Sequence, residues 1–440
     1  MNSRNPLSGS RQKVRSATGH FEELVRASSA SFLLRILAAV AGLGLYAYIG
    51  RVWGADGVGI FSQCLMVTTV SAMLARVGLD NVLIRLVAES RVATHSASAS
   101  YVYSFATEFA LSMGLFFAVA VYLLAHRIAE LVSTDRALAS ALRISSVAII
   151  PVTFVYINGF SLQGAKKVSQ SVFCIAVSVP VFTLGFCLLF DRFNIRNAPV
   201  ISYVLGAVAA SAVSSYFWAV ERVNCIGTKL VSRSSLLNAA YPLLVMAIAQ
   251  QSINWFGLIY LGHVSTSDQV GVFYAATKVS AAIGFVVIAV NSIASPKFAE
   301  LAAREDRRQL QEVVTLSLKL ATTVGLPVIA GVVAFSSSIM RLFGNEFSSG
   351  GFLLTVLAIG QIANIFFGQM GVLLIMTANE SMYGLLILFS AVFNILICLG
   401  LISRYGATGA VYAAALTMVF EACCTYVVVR KKLDLRLMPA

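Results

Sequence analysis

The sequence predicts an all-α polytopic membrane protein with about twelve transmembrane helices in two pseudo-symmetric six-helix bundles. Three observations lead to this fold class. Hydrophobic residues make up 58% of the 440-residue chain and charged residues only 12%, whereas about 25% charged residues is usual in soluble domains. The apolar residues fall in runs of about 20 or more, the length at which a helix crosses a bilayer. A short motif also repeats at half the length of the chain.

Each apolar run is long enough to cross the hydrocarbon core as a helix. A transmembrane β-barrel would instead show short segments of alternating polarity. The twelve predicted spans are 28–51, 57–82, 98–124, 138–160, 169–190, 198–220, 234–261, 269–294, 313–339, 351–376, 380–402 and 406–429.

Polar segments divide the chain into tails, bundles and a linker. All connections between spans are short, and the longest is about 296–312, so the sequence predicts no soluble catalytic domain. The predicted parts are a basic cytosolic tail (1–27), an N-terminal six-helix bundle (28–220), a cytoplasmic linker (221–233), a C-terminal six-helix bundle (234–429) and a second basic cytosolic tail (430–440).

The distribution of Lys and Arg predicts the orientation. With the N-terminus inside, 20 of the 32 cations lie in the inner loops and tails, and 8 are assigned to the outer side. Cytoplasmic loops carry such an excess of positive charge. The remaining four are Arg35, Arg76, Lys278 and Lys319, which fall inside spans. Both termini are therefore predicted to be cytoplasmic, which requires an even number of spans.

A repeated turn relates the two halves of the chain. Asp56-x-Val-Gly59-x-Phe joins spans 1 and 2, and Asp268-x-Val-Gly271-x-Phe joins spans 7 and 8, at an offset of 212 residues. We interpret the aspartates as caps of the following helices and the glycines as sites of close helix packing. Paired halves with the binding site between them are common in secondary transporters.

Several classes of function are not supported by the sequence. The net charge of +13 has its source in the basic loops, and no interleaving of basic and aromatic residues suggests nucleic-acid binding. The seven cysteines form no CxxC pair and none lies near a His at ligand spacing, so no metal site, disulfide framework or cofactor is predicted. No P-loop or hydrolase motif is present, so an enzyme is not predicted.

Four charged residues lie deep within spans: Arg35, Glu108, Lys278 and Glu421. Charges at that depth usually mark a pathway or a paired site. Arg35 and Lys278 are too deep to reach the interface easily. They would bind an anionic substrate in a central cavity or form buried ion pairs with Glu108 or Glu421. Arg76 and Lys319 lie about two turns from a cytoplasmic end, where a long side chain can extend to the interface.

The carboxylates and amides supply further candidates. A carboxyl group removed from water favours its protonated form, so Glu108 and Glu421 are candidate proton carriers, with a hydrogen-bonded structural role as the alternative. Amides in mid-span suit a hydroxyl-rich sugar, or they connect helices by hydrogen bonds. The candidate substrate-binding amides are Gln250, Asn254 and Asn364.

These residues together resemble the polysaccharide/oligosaccharide-lipid flippases. That family is the polysaccharide transporter branch of the multidrug/oligosaccharidyl-lipid/polysaccharide exporter superfamily, whose members have the MATE-like fold. The resemblance is carried by residues 34–61, by Gly78, Asp80 and Arg85, and by residues 270–278 followed by Pro296.

The resemblance implies a flippase that moves undecaprenyl-pyrophosphate-linked oligosaccharide across the bacterial inner membrane by alternating access. It would serve O-antigen (lipopolysaccharide), capsule or exopolysaccharide synthesis. The family's cavity is cationic, which places Arg35 and Lys278 in it. Implied partners are the lipid-linked oligosaccharide and membrane lipids, with a polysaccharide polymerase and chain-length proteins beside them.

Three other functions remain open at this stage. A proton- or sodium-coupled multidrug/organic-cation antiporter of the same superfamily would share the fold but would need an acidic cavity. A membrane-bound polymerase or glycosyltransferase would need a long catalytic outer loop, which the chain lacks. A scaffold subunit of a glycan assembly complex would not require four deep charges.

Overall fold

The computed structural model describes residues 6–91, 98–133, 135, 137–191, 197–222, 232–304 and 306–433. Side chains are described from Ser31 onward, apart from residues 235 and 239. Most of the predicted linker 221–233 lies outside the described residues, as do 1–5 and 434–440 of the tails, so the domain boundaries stay predictions. The first helix begins at Pro6, which makes most of the predicted N-terminal tail helical.

The described residues form helices and no strands. We number the α-helices in chain order. They are α1 (Pro6–Arg76), α2 (Leu79–Ser90), α3 (Ala99–Val132), α4 (Ala137–Ser145), α5 (Ile149–Gly164), α6 (Val168–Val172), α7 (Val179–Phe190), α8 (Ala198–Glu221), α9 (Arg233–Val264), α10 (Ser267–Ile283), α11 (Phe285–Ala303), α12 (Arg307–Ala334), α13 (Ser336–Arg341), α14 (Gly350–Met376) and α15 (Glu380–Leu433).

Ten helical stretches of the described residues are long and apolar enough to cross a membrane. Two of them have double length. Residues 31–76 would extend about 69 Å and the 54 residues of α15 about 81 Å, whereas the hydrocarbon core is about 30 Å thick. Each is interrupted by a glycine at positive φ, Gly54 in α1 (71°) and Gly406 in α15 (57°). Dividing both at these glycines gives the twelve spans that the sequence predicts.

The connections between spans meet at two opposite faces. At one, which we call the Gly54 face, the Ala55 N–H donates to Glu346 Oε2 (2.9 Å) and Arg51 Nε donates to the Leu342 carbonyl (2.8 Å). At the other, the Glu221 face, Glu221 forms ion pairs with Arg91 and with Lys167 (3.5 Å). The Gly54 face contains connections from an odd-numbered span to the next even-numbered one. The Glu221 face contains connections from an even-numbered span to the next odd-numbered one, as expected for spans that alternate in direction.

The repeated turns bring the two halves of the chain together at the Gly54 face. A Cβ atom at Gly59 would overlap the Ser267 carbonyl, and one at Gly271 would overlap the Ala55 carbonyl. The prediction of close packing at both glycines is therefore confirmed. We call this contact between α1 and α10 the glycine seam.

The capping prediction for the aspartates is wrong. Thr266 occupies the N-cap position of α10, and Asp268 lies in the first turn, because the helix begins earlier than the sequence map placed it. The helix that follows Gly54 is capped from the other half of the chain, by the carboxylate of Glu346. An acceptor at this position satisfies an N–H group that has no partner within its own helix.

Candidate functional site

A polar chamber of about 510 Å³ lies between the two halves of the chain. The first half contributes helices α1 and α5, and the second half contributes α9 and α10. Cationic, amide and aromatic side chains dominate the wall, and among the described residues no carboxylate lines it. The lining residues are Thr69, Met73, Arg76, Tyr156, Ala247, Gln250, Gln251, Asn254, Trp255, Tyr274, Thr277, Lys278 and Ala281.

Lys278 lies on the wall of this chamber. One helical turn before it on α10 is Tyr274, and the Lys278 ammonium is 4.9 Å from the centre of the Tyr274 ring. Tyr274 in turn stacks on Trp255 (5.9 Å between ring centres) and accepts a hydrogen bond from the Tyr46 hydroxyl (3.3 Å). The ion pairs of the described residues do not include Lys278. Its charge therefore faces the chamber next to an aromatic group.

An apolar chamber of about 330 Å³ adjoins the polar one, and Lys278 and Ala281 line both. Lys278 is the only charged residue that lines it in the described part of the chain. The chamber lies beside the π-helical turn Phe173–Ser178 and Pro180. The remaining lining residues are Ala38, Ala39, Gly42, Leu43, Leu45, Tyr46, Phe61, Leu65, Ala176, Val179, Pro180, Thr183, Tyr203, Ala282 and Phe285.

A third cavity, which we call the amide chamber, has a volume of about 280 Å³ and lies within the second half of the chain. It shares Gln250 and Asn254 with the polar chamber, and it also contains Asn364 and Glu421. Asn364 Nδ2 donates to Gln361 Oε1 (2.9 Å), so this amide is held in place. Five of the seven predicted site residues thus line connected cavities: Lys278, Gln250, Asn254, Asn364 and Glu421.

Arg35 lies near the apolar chamber but is not part of its wall. It precedes Ala38, Ala39 and Gly42 on one stripe of α1, and those three residues do line the chamber. The side chain of Arg35 is exposed. The structure therefore places it about one turn from the chamber.

Glu108 is not brought into these cavities. Its carboxylate lies 3.6 Å from the guanidinium of Arg233 at the start of α9, and both side chains are about two-thirds exposed. Glu108 and Glu421 therefore have different surroundings. Glu421 is only partly exposed and is not in an ion pair of the described residues.

Arg76 is a cation of the polar chamber that the sequence reasoning missed. It was expected to extend to the membrane interface, but it is 5% exposed. Its Nε donates to Asp80 Oδ1 (2.8 Å), its Nη1 donates to the Ala72 carbonyl (2.9 Å), and its Cζ lies 4.3 Å from the centre of the Tyr156 ring. Asp80 reaches Arg76 across the turn at Val77 and Gly78, where α1 ends and α2 begins, and the predicted continuous span 57–82 does not show this turn.

The described residues contain no group of three His, Cys, Asp or Glu side chains that could hold a metal ion. The chambers themselves offer ammonium, guanidinium, amide and aromatic groups. Such groups bind anions and hydroxyl-rich molecules through hydrogen bonds and stacking.

The sequence profile of one protein family, described as polysaccharide biosynthesis protein, matches residues 24–302. The chain belongs to this family. The match runs from residue 24 in α1 through the rest of the first half and includes α9 and α10, the helix that carries Lys278. It confirms the family that the sequence motifs indicated, and the membership agrees with a multi-pass membrane protein.

Two curated relatives come from the archaeon Haloferax volcanii. The probable low-salt glycan biosynthesis flippase Agl15 is 24% identical over 236 residues, which are 53% of this chain and 49% of the relative. The probable flippase AglR is 23% identical over 177 residues, 39% of this chain and 37% of the relative. The chain thus matches about half or less of the length of each relative.

Solved structures show the same fold over nearly the whole chain. The lipid II flippase MurJ, in an inward closed conformation, has a TM-score of 0.69 at 14% identity, with coverage of 92% of this chain and 87% of MurJ. A multidrug resistance MATE family transporter of the MOP superfamily, in an inward-facing conformation, has a TM-score of 0.67 at 14% identity, covering 92% and 94%. The predicted MATE-like fold is confirmed.

Proposed function

We propose that this protein is a flippase that moves a lipid-linked oligosaccharide with a phosphate or pyrophosphate group across the membrane. The observation that carries the proposal is the position of Lys278, which lines a polar and an apolar chamber at once. A lipid-linked glycan is divided in the same way as the two chambers. It has an apolar lipid chain and a hydroxyl-rich glycan, and an anionic phosphate group joins them. No bond is made or broken in this process, so the protein is not an enzyme.

Each part of the substrate has a matching group. The phosphate would lie in the polar chamber between Lys278 and Arg76, since both cations line this chamber. The glycan would contact Gln250, Asn254 and Trp255 through hydrogen bonds and stacking. The lipid chain would leave through the apolar chamber. Arg35 remains a proposed contact, one turn from that chamber, for the substrate as it enters.

The same cavities argue against an organic-cation antiporter. A cation would have to bind beside Arg76 and Lys278, and the polar chamber has no lining carboxylate to neutralise it. The acidic residue of the amide chamber, Glu421, is separated from these cations by the shared amides Gln250 and Asn254.

Glu421 is the better of the two proposed coupling residues, because it lines the amide chamber, whereas Glu108 pairs with Arg233. Replacing Glu421 by Gln should preserve folding and remove the dependence of transport on the proton gradient. Glu108→Gln, the matched control, should keep that dependence. Gradient-sensitive transport in Glu421→Gln, measured with an uncoupler, would exclude a proton role for Glu421.

We further propose that both termini are cytoplasmic and that the transport direction is outward. In a bacterium this places the protein in the inner membrane and its product in O-antigen, capsule or exopolysaccharide synthesis, with a polymerase and chain-length proteins as partners.

Deletion of the gene followed by extraction of lipid-linked glycans tests the function. The proposal predicts that these glycans accumulate and that the surface polysaccharide is lost. An unchanged lipid-linked pool together with normal surface polysaccharide would contradict it.

A further inference from the structure

A trough on the surface of α12 is separate from the three chambers. It has a volume of about 480 Å³ and is lined by Arg308, Gln311, Glu312, Thr315, Leu316 and Lys319. These residues recur at intervals of three and four, so they form one stripe along the helix. The stripe begins near the Glu221 face, because α12 starts at the connection between two spans there and ends near Leu342 at the opposite face.

The neighbours of Lys319 show that this stripe faces lipid. Leu316 is 67% exposed, and Leu320 and Val324 are each 48% exposed. Apolar side chains with such exposure on a predicted span contact the acyl chains of the bilayer. Lys319 itself is exposed, and it belongs to none of the ion pairs of the described residues.

A lipid-facing ammonium group without a protein partner is unfavourable unless it reaches water or an anion. Helical side chains tilt toward the N-terminus of their helix, and the N-terminus of α12 lies at the Glu221 face. Lys319 therefore extends along the trough toward the level of Thr315 and the lipid headgroups. The phosphate of a phospholipid in this leaflet is the anion nearest to that level.

The opposite end of the trough adds a second cation. Arg308 lies 3.4 Å from Glu312, but their side chains are 90% and 65% exposed, so this pair is weak. Together with Lys319, the trough carries a net single positive charge. An anionic headgroup is therefore favoured over a zwitterionic one.

The surroundings of the trough are also basic. Val429 of α15 belongs to the same apolar cluster as Leu310 and Val314 of α12, and residues of α14 join the two helices in it, so the end of α15 and the start of α12 lie at the same face. Exposed cations at this rim are Arg304, Arg307, Arg430, Lys431 and Lys432. Such clusters next to membrane helices attract anionic lipids.

We propose that the α12 trough is a binding site for an anionic phospholipid of the leaflet at the Glu221 face, with Lys319 on the phosphate. Arg308 lies about three turns nearer the water and adds longer-range attraction for the anion. The acyl chains lie along Leu320 and Val324, which follow Lys319 toward the centre of the membrane. This site is independent of the proposed transport function, since it shares no residue with the chambers.

Binding of phosphatidylglycerol and phosphatidylcholine to the purified full-length protein in detergent tests the site, with native mass spectrometry as the readout. The wild type should bind phosphatidylglycerol more tightly. Lys319→Gln should weaken this binding about fivefold. Arg308→Gln should weaken it less, because Arg308 lies further from the phosphate, and raised salt should weaken binding further. Lys319→Arg should retain it.

Arg85→Gln is the matched control, because Arg85 is an exposed helical cation that also has a glutamate four residues later. It should leave phosphatidylglycerol binding unchanged. Equal binding of the two lipids, or an unaffected Lys319→Gln variant that elutes as a folded monodisperse protein, would overturn the proposal. So would an equal loss in Arg85→Gln, or displacement of the lipid by inorganic phosphate at the same concentration.

Discussion

The side chains of Lys278 and Arg76 are each held in place by a residue four positions away in the sequence. Tyr274 lies one turn before Lys278 on α10 and holds its ammonium at the chamber wall. Asp80 lies across the turn at Val77 and Gly78, at the start of α2, and holds the Arg76 guanidinium by a hydrogen bond of 2.8 Å. The pair of Lys278 and Tyr274 is at helical spacing on α10, so it could be read from the sequence. The chamber that the two cations share could not, because α1 and α10 are brought together by tertiary packing.

Arg76 provides a test that separates a transport role from a structural one. Arg76→Ala should lower stability by about 1–3 kcal/mol, because Asp80 loses its partner. The double variant Arg76→Ala/Asp80→Ala should recover part of the lost melting temperature, since no unpaired carboxylate remains, although the contacts of Arg76 with Ala72 and Tyr156 stay lost. Transport should stay impaired in the double variant. Recovery of both stability and transport would assign Arg76 a purely structural role.

At the scale of elements, the sequence predicts the positions of the spans well and the contacts between different helices poorly. The apolar runs that identify the spans are local. The turn at Gly54 falls between the predicted spans 1 and 2, and the turn at Gly406 falls on the first residue of the predicted span 12. The sequence predicts Glu108 deep within span 3, whereas its carboxylate is about two-thirds exposed and pairs with Arg233. That contact joins residues more than a hundred positions apart, so no local pattern indicates it.

The glycine seam is the element that closes the Gly54 face. Gly59→Ala or Gly271→Ala places a methyl group against a carbonyl of the opposite half, so the halves should separate there. Crosslinking between cysteines introduced at Arg51 and Leu342, which are hydrogen-bonded across this face, should decrease.

Gly42→Ala and Gly44→Ala are the matched controls for the seam. Both glycines lie in α1, and an added Cβ would meet nothing within 4 Å. Crosslinking should be unchanged in these variants. An equal decrease in the controls, or none in Gly59→Ala and Gly271→Ala, would show that the seam does not hold the Gly54 face closed.

The whole molecule alternates its connections between two faces, and this organisation predicts the topology. We expect a reporter fused at Gly344 to be outside and one fused after Leu433 to be inside, because the cations are concentrated on the side of the termini. Reporter activity on opposite sides supports twelve spans. The same side for both positions is incompatible with that number.

The central claim is that the molecule moves a lipid-linked anionic glycan, with Lys278 at its anionic group. Flipping in reconstituted vesicles tests it most directly, with a fluorescent polyprenyl-pyrophosphate oligosaccharide and a quencher that does not cross the bilayer. With the wild type, the inner-leaflet pool should become accessible to the quencher. With Lys278→Ala at equal protein content it should remain protected, and Lys278→Arg should restore part of the transport, because the charge is kept. A protected pool with the wild type, or equal flipping by Lys278→Ala, would contradict the account.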